Sequence, residues 1–153
     1  MKLLLLGLAA LIICGLISPT RGDLLQLRKM IKKMTGKPIT HYISYGCFCG
    51  WGGKGQPLDA SDGCCQVHDC CYEKLKEKKC LAKLSSYKYS IRNGQIHCGG
   101  NKWCERKSCE CDKEIALCLR KEMNTYHSKY RWIRWYKRNW CKKPTTPCSS
   151  VKS

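Results

Sequence analysis

The chain has 153 residues, 15 of them cysteine, and carries 29 Lys and Arg against 11 Asp and Glu, a formal charge of +18. So many cysteines argue against a reducing compartment, and so much positive charge selects polyanionic partners: anionic lipid surfaces, sulfated glycans such as heparan sulfate, or nucleic acid. Export disfavours the last of these, and no dedicated nucleic-acid module is recognisable.

Residues 1–22 show one Lys2, the fifteen-residue apolar run LLLLGLAALIICGLI and then SPTRG, the three-part pattern of a secretory signal. The run falls short of the ~20 residues that cross a bilayer as a helix, and no later run is longer. We read Met1–Gly22 as removed before Asp23, leaving 23–153 as one secreted domain with a cationic, aromatic extension over 126–153. Removing Lys2, Arg21 and Cys14 leaves 27 basic residues against 11 acidic ones, a charge of +16, and an even 14 cysteines. An even count spread over an exported chain fits a disulfide framework better than zinc. A domain of this size has a modest core, so the bridges supply much of its rigidity.

Between Leu24 and Thr35 the residues Leu24, Leu27, Met30, Ile31 and Met34 recur at helical spacing with Arg28, Lys29, Lys32 and Lys33 between them. The pattern predicts an amphipathic helix closed by Gly36 and Pro38. Tyr45–Pro57, YGCFCGWGGKGQP, follows with five glycines in thirteen residues. Such a loop leaves its backbone open, and hard cations such as calcium take carbonyl and carboxylate oxygens.

Asp62–Lys79, DGCCQVHDCCYEKLKEKK, is expected to be helical and sets His68 beside Asp69 among four cysteines. A second such helix is expected from about Cys104 to Thr125. Cys64 and Cys71 lie two turns apart, as do Cys111 and Cys118, so antiparallel helices are stapled in one register by Cys64–Cys118 and Cys71–Cys111. That register brings Asp112 near His68 and Tyr72. Between the helices, Ser86–Cys98 reads as a hairpin turning at Asn93-Gly94, with Lys88 and Arg92 solvated and Tyr87 or Tyr89 turned inward. Beyond Thr125, Trp132, Trp135 and other aromatic residues alternate with Lys and Arg. This suits docking to lipid headgroups; a solvated, disulfide-tied coil is the plainer reading.

If Cys49 pairs with Cys65, the glycine loop meets Asp69 and a calcium site forms beside His68. A neutral histidine oriented by Asp112 can then activate water for ester hydrolysis. No serine nucleophile is needed, in keeping with the lack of a G-x-S-x-G element.

The segments YGCFCGWGGKG, CCQVHDCC and CECDKEIALC resemble those of secreted phospholipases A2, and MIKKMTGK with the terminal Cys141 and Cys148 resembles the group II branch. The resemblance implies a small, mainly helical, disulfide-rich fold: an N-terminal amphipathic helix, a calcium loop, two stapled antiparallel helices and a small β-hairpin wing. It further implies calcium-dependent hydrolysis of the sn-2 ester of glycerophospholipids at membranes. His68 would activate water and Asp112 would orient it, with Tyr72 and Tyr87 bonded to Asp112. Calcium would be held by Asp69 and the carbonyls of Phe48, Gly50 and Gly52. Leu24, Leu27 and Ile31 would line the acyl channel, and the remaining bridges would be Cys47–Cys141, Cys70–Cys148, Cys80–Cys104 and Cys98–Cys109. Trp51, Trp132 and Trp135 are placed at the lipid interface, with anionic membranes preferred. The competing reading is a non-enzymatic cationic protein that disrupts membranes, or binds heparan sulfate or a receptor.

Overall fold

The computed structural model describes residues 22–152, with side chains from Leu24 onward. The predicted signal segment lies outside the described residues except for Gly22, which opens the first helix, α1 (Gly22–Thr35). Leu27, Met30, Ile31 and Met34 are buried on one face of α1 while Arg28, Lys29, Lys32 and Lys33 stay exposed, as the spacing requires. Gly36, at a φ of +72°, takes the left-handed conformation that ends it.

The second helix, α2 (Ala60–Glu77), begins at Asp59, whose side chain accepts from the Asp62 N–H at 2.8 Å. It stops two residues short of the predicted end, and Lys79 sits at a φ of +62°. The third helix, α3 (Trp103–Lys121), is central: both α1 and α2 pack on it. Its face Ser108, Asp112, Ile115, Ala116 and Leu119 is buried. An acidic Glu105 in its first turn and basic Arg120 and Lys121 in its last suit the helix dipole.

The expected end of α3 at Thr125 is corrected to Lys121, with a separate 3₁₀ turn over Met123–Thr125. The cause lies on the neighbouring helix. Ser61 Oγ of α2 donates to the Glu122 carbonyl at 3.0 Å and Thr125 Oγ1 donates to the same oxygen at 2.9 Å, so side chains satisfy a carbonyl left open at the helix end.

The hairpin pairs β1 (Tyr89–Arg92) with β2 (Gln95–Cys98) in antiparallel register, Arg92 opposite Gln95. Asn93 and Gly94 have φ of +52° and +74°, which places both central residues of the tight turn in the left-handed region. Lys88 and Arg92 are exposed. Tyr87 is the residue that turns inward, from a position just before β1, while Tyr89 is half-buried.

Seven disulfides join the described cysteines, including Cys64–Cys118, Cys71–Cys111 and Cys49–Cys65. Cys47–Cys141 and Cys70–Cys148 fasten the C-terminal segment, which runs through short helical turns and includes α4 (Ile133–Tyr136). That segment is more than a coil held by its bridges. Gly46 N–H donates to the Tyr130 carbonyl at 2.9 Å, Trp132 N–H donates to the Ser44 carbonyl at 2.6 Å, and Ile133 is buried.

Replacing Cys71 and Cys111 together by serine leaves Cys64–Cys118 as the lone staple between α2 and α3. A stability loss of about 2–5 kcal/mol is expected, read from the urea midpoint; an unchanged midpoint would mean that packing alone sets the helix register.

Candidate active site

The two staples hold α2 and α3 antiparallel so that His68 and Asp112 face each other. His68 Nε2 lies 2.7 Å from Asp112 Oδ1. Asp112 is fully buried and also accepts from Tyr72 Oη at 2.7 Å on Oδ1 and from Tyr87 Oη at 2.5 Å on Oδ2. Three donors, two from adjacent turns of α2 and one from the segment before β1, thus satisfy one buried carboxylate, which would otherwise be costly to bury. With Nε2 donating to Asp112, the imidazole proton resides there and Nδ1 keeps its lone pair, the arrangement a general base requires.

A cavity of about 210 Å³ opens beside this pair, lined by Leu24, Leu27, Ile31, Phe48, His68 and Asp69 among others. A second, of about 590 Å³, is lined by Trp51, Gly52, Asp69, Glu73, Lys76 and Lys83. Asp69 and Trp51 border both cavities. The three predicted channel residues therefore border the same cavity as the predicted base, and the apolar face of α1 serves both the core and the cavity.

The glycine loop folds over Asp69. A Cβ added at Gly53 would fall 2.8 Å from Asp69 Oδ2 and 2.7 Å from the Phe48 ring, so glycine keeps open a cradle between loop and carboxylate. Among the described residues, neither the Asp69 carboxylate nor the carbonyls of Phe48, Gly50 and Gly52 take part in a hydrogen bond. Burial pushes the Asp69 carboxyl up to about 6, and the nearby charges of His68, Lys83 and Arg134 act in the opposite sense. A half-buried carboxylate under a glycine loop whose Phe48, Gly50 and Gly52 carbonyls accept no hydrogen bond offers the oxygen types of a hard cation, so these residues fit calcium.

Asp62, read in the sequence only as the start of a helix, proves to root the loop. It is fully buried; Oδ2 accepts from Cys47 N–H at 2.8 Å and Leu58 N–H at 2.9 Å, and Oδ1 from Phe48 N–H at 2.8 Å. Burial raises its carboxyl above the usual range, while the three backbone donors oppose that rise. Tyr45 ties the same region to the C-terminal segment: its hydroxyl donates to Asp59 and accepts from His127 N–H at 2.9 Å. Lys83 is the other residue sequence reasoning missed; it borders both cavities, and its ammonium lies 5.1 Å from the Trp51 ring centroid.

The predicted interface tryptophans are exposed: Trp51 by 61%, Trp132 by 45% and Trp135 by 71%. Arg134, between the last two, donates to the carbonyls of Cys49 and Trp51. The segment bearing Trp132 and Trp135 is therefore fastened to the loop bearing Trp51.

Asp62→Asn tests the root of the loop, since it retains size but puts an amide among three backbone donors. A stability loss of about 1–3 kcal/mol is expected from the unsatisfied groups, measured by urea unfolding without added metal; no loss would show that the loop holds its shape unaided.

A family model described as phospholipase A2 matches residues 24–131. The chain is 50% identical over 143 residues to the group IID secretory phospholipase A2 of Mus musculus, an alignment covering 90% of this chain and 97% of that protein. It is 45% identical over 144 residues to the group IID secretory phospholipase A2 of Homo sapiens, with coverage of 90% and 97%. Identity to the group IIE secretory phospholipase A2 of Mus musculus is 46% over 136 residues, 89% of this chain and 94% of that one. These likenesses extend past the matched model into the C-terminal segment, and with the His68–Asp112 pair in place the chain belongs to the phospholipase A2 family.

Proposed function

We propose that this chain hydrolyses the sn-2 acyl ester of glycerophospholipids at a membrane surface, releasing a free fatty acid and a lysophospholipid, with calcium held by Asp69 and the carbonyls of Phe48, Gly50 and Gly52. The observation that carries the reading is His68, held by the buried Asp112 behind it, on the wall of a cavity whose other lining includes Leu24, Leu27 and Ile31. A titrating group, an orienting carboxylate and an apolar slot are what ester hydrolysis of a lipid asks for.

In this reaction His68 Nδ1 takes a proton from water as the water oxygen attacks the ester carbonyl. The imidazolium formed is stabilised by its Nε2–H bond to Asp112, and Tyr72 and Tyr87 keep that carboxylate from rotating. When the carbonyl–oxygen bond breaks, Nδ1–H returns the proton to the departing glycerol oxygen, so the histidine ends as it began. Bound calcium supplies positive charge for the substrate phosphate and for the developing oxyanion. Leu24, Leu27 and Ile31 exclude water and hold the acyl chain. Lys83, on the border of both cavities, is suited to an anionic headgroup.

The tryptophans at 51, 132 and 135 provide interfacial anchors, and the excess of basic residues favours anionic membranes. The same charge supports binding to heparan sulfate, and residues 1–22 support export. Among the described residues, no helix is long and apolar enough to cross a membrane.

Fatty acid release from phospholipid vesicles in calcium and in chelator tests the reading. His68→Gln is expected to lower release by roughly 10²–10⁴-fold while vesicle binding persists, and chelator is expected to stop release without loss of the far-ultraviolet helical signal. Full release by the His68 variant would sink this mechanism; binding without release by the unaltered chain would favour the non-enzymatic membrane binder. Separately, Trp135→Ala is expected to weaken cosedimentation with zwitterionic vesicles more than with anionic ones, because charge compensates for the lost aromatic only on the latter. No loss on either would place Trp135 outside the lipid contact.

A further inference from the structure

We infer that Arg134 is a positioning residue for the calcium loop, acting as a fork that holds one alternate set of loop carbonyls and leaves the other set for the metal; the inference rests on the calcium reading above. Its guanidinium Nη2 donates to the Cys49 carbonyl at 3.0 Å, and Nη1 donates to the Trp51 carbonyl. The next carbonyl of the same parity, Cys47, accepts from Lys54 N–H at 3.3 Å. Thus the oxygens of residues 47, 49 and 51 are each occupied by the protein. Those of 48, 50 and 52 accept no hydrogen bond among the described residues.

The stretch is a run of turns and bends with Gly46, Gly50 and Gly52 at positive φ, so no ladder fixes its carbonyls. A planar guanidinium with two donors ties two of them at once and so constrains the peptide units between them, as a single ammonium cannot. Gly50, between the two bonded carbonyls, has a φ of +102°, and a Cβ there would fall 1.8 Å from the Ile43 carbonyl and 3.1 Å from Arg134 Nη2. Glycine allows the guanidinium its close approach. Arg134 is half-buried and reaches the loop from α4, a helix outside the residues the family model matches.

Two effects of opposite sign compete at this position. The guanidinium is one of the charges acting on Asp69, so by Coulomb repulsion it disfavours a second cation. As a fork it spares the metal the cost of ordering a glycine-rich loop. Charge-assisted bonds to two fixed carbonyls act at contact distance, whereas the charge is partly screened by solvent; the ordering effect is the larger.

The test is calcium titration by calorimetry on the full mature chain without lipid, together with thermal unfolding in chelator. Arg134→Gln, which removes both charge and fork, is expected to raise the calcium Kd by about five- to tenfold with little change of the chelator midpoint. Arg134→Lys, which retains charge, is expected to leave the Kd raised. Tighter binding by the Gln variant would show that repulsion dominates and overturn the inference, as would an unchanged Kd or a recovery by lysine. A fall in the chelator midpoint matching the loss of affinity would make Arg134 a general structural tie and also overturn it. No calcium heat from the unaltered chain would defeat the calcium reading itself, a result distinguishable from all of these.

Discussion

The site depends first on a buried carboxylate fixed between two covalently registered helices. Cys64–Cys118 and Cys71–Cys111 set α2 against α3, and within that frame Asp112 receives His68, Tyr72 and Tyr87. Neither part suffices alone. Without the staples, a half-turn slip along α3 would rotate Asp112 away from His68; without three donors, an acid in this position would favour exposure over packing. The arrangement places the His68–Asp112 pair on helices rather than on the loop. That division suits a small domain whose core is modest and whose bridges carry much of the constraint.

Cysteine spacing made the helix register legible, because a disulfide links particular residues and Cys64/Cys71 match Cys111/Cys118 in their two-turn separation; Cys104/Cys111 share that separation, and the structure spends Cys104 on Cys80 instead. Asn93-Gly94 was legible for a similarly local reason: few residues adopt two consecutive left-handed conformations, and the turn shows both. Tyr87 and Tyr89 could not be separated by alternation, since residues two apart share a face. Asp112 decides between them by offering Tyr87 a partner. The end of α3 was misjudged because LRKEMNT contains no glycine or proline stop, whereas the observed stop involves Ser61 from another helix.

Asp62 and Arg134 show the limit of reading local pattern. An acid in the first turn of a helix ordinarily serves the dipole, and nothing local shows that residues 46–58 fold back to bury it. Arg134 is one of many cations in an aromatic tail. Only the fold sets it against two loop carbonyls, far away in sequence. In both cases one charged side chain organises several backbone groups, a relation that hydrophobic periodicity does not encode.

For a chain with 29 basic residues and 11 acidic ones, the proposed cation site sets an evident difficulty. Its answer is to separate scales. Over distances beyond about 10 Å the exposed lysines and arginines act only as a screened field. At the loop, contact interactions dominate: Asp62 takes backbone donors inward, Arg134 takes the Cys49 and Trp51 carbonyls, and Gly53 leaves room beside Asp69. Arg134 belongs to both scales, adding to the global charge while spending its donors on the loop. The same four-residue helix places Trp135 toward solvent, so the tie to the glycine loop and the orientation of an exposed aromatic are properties of one short element.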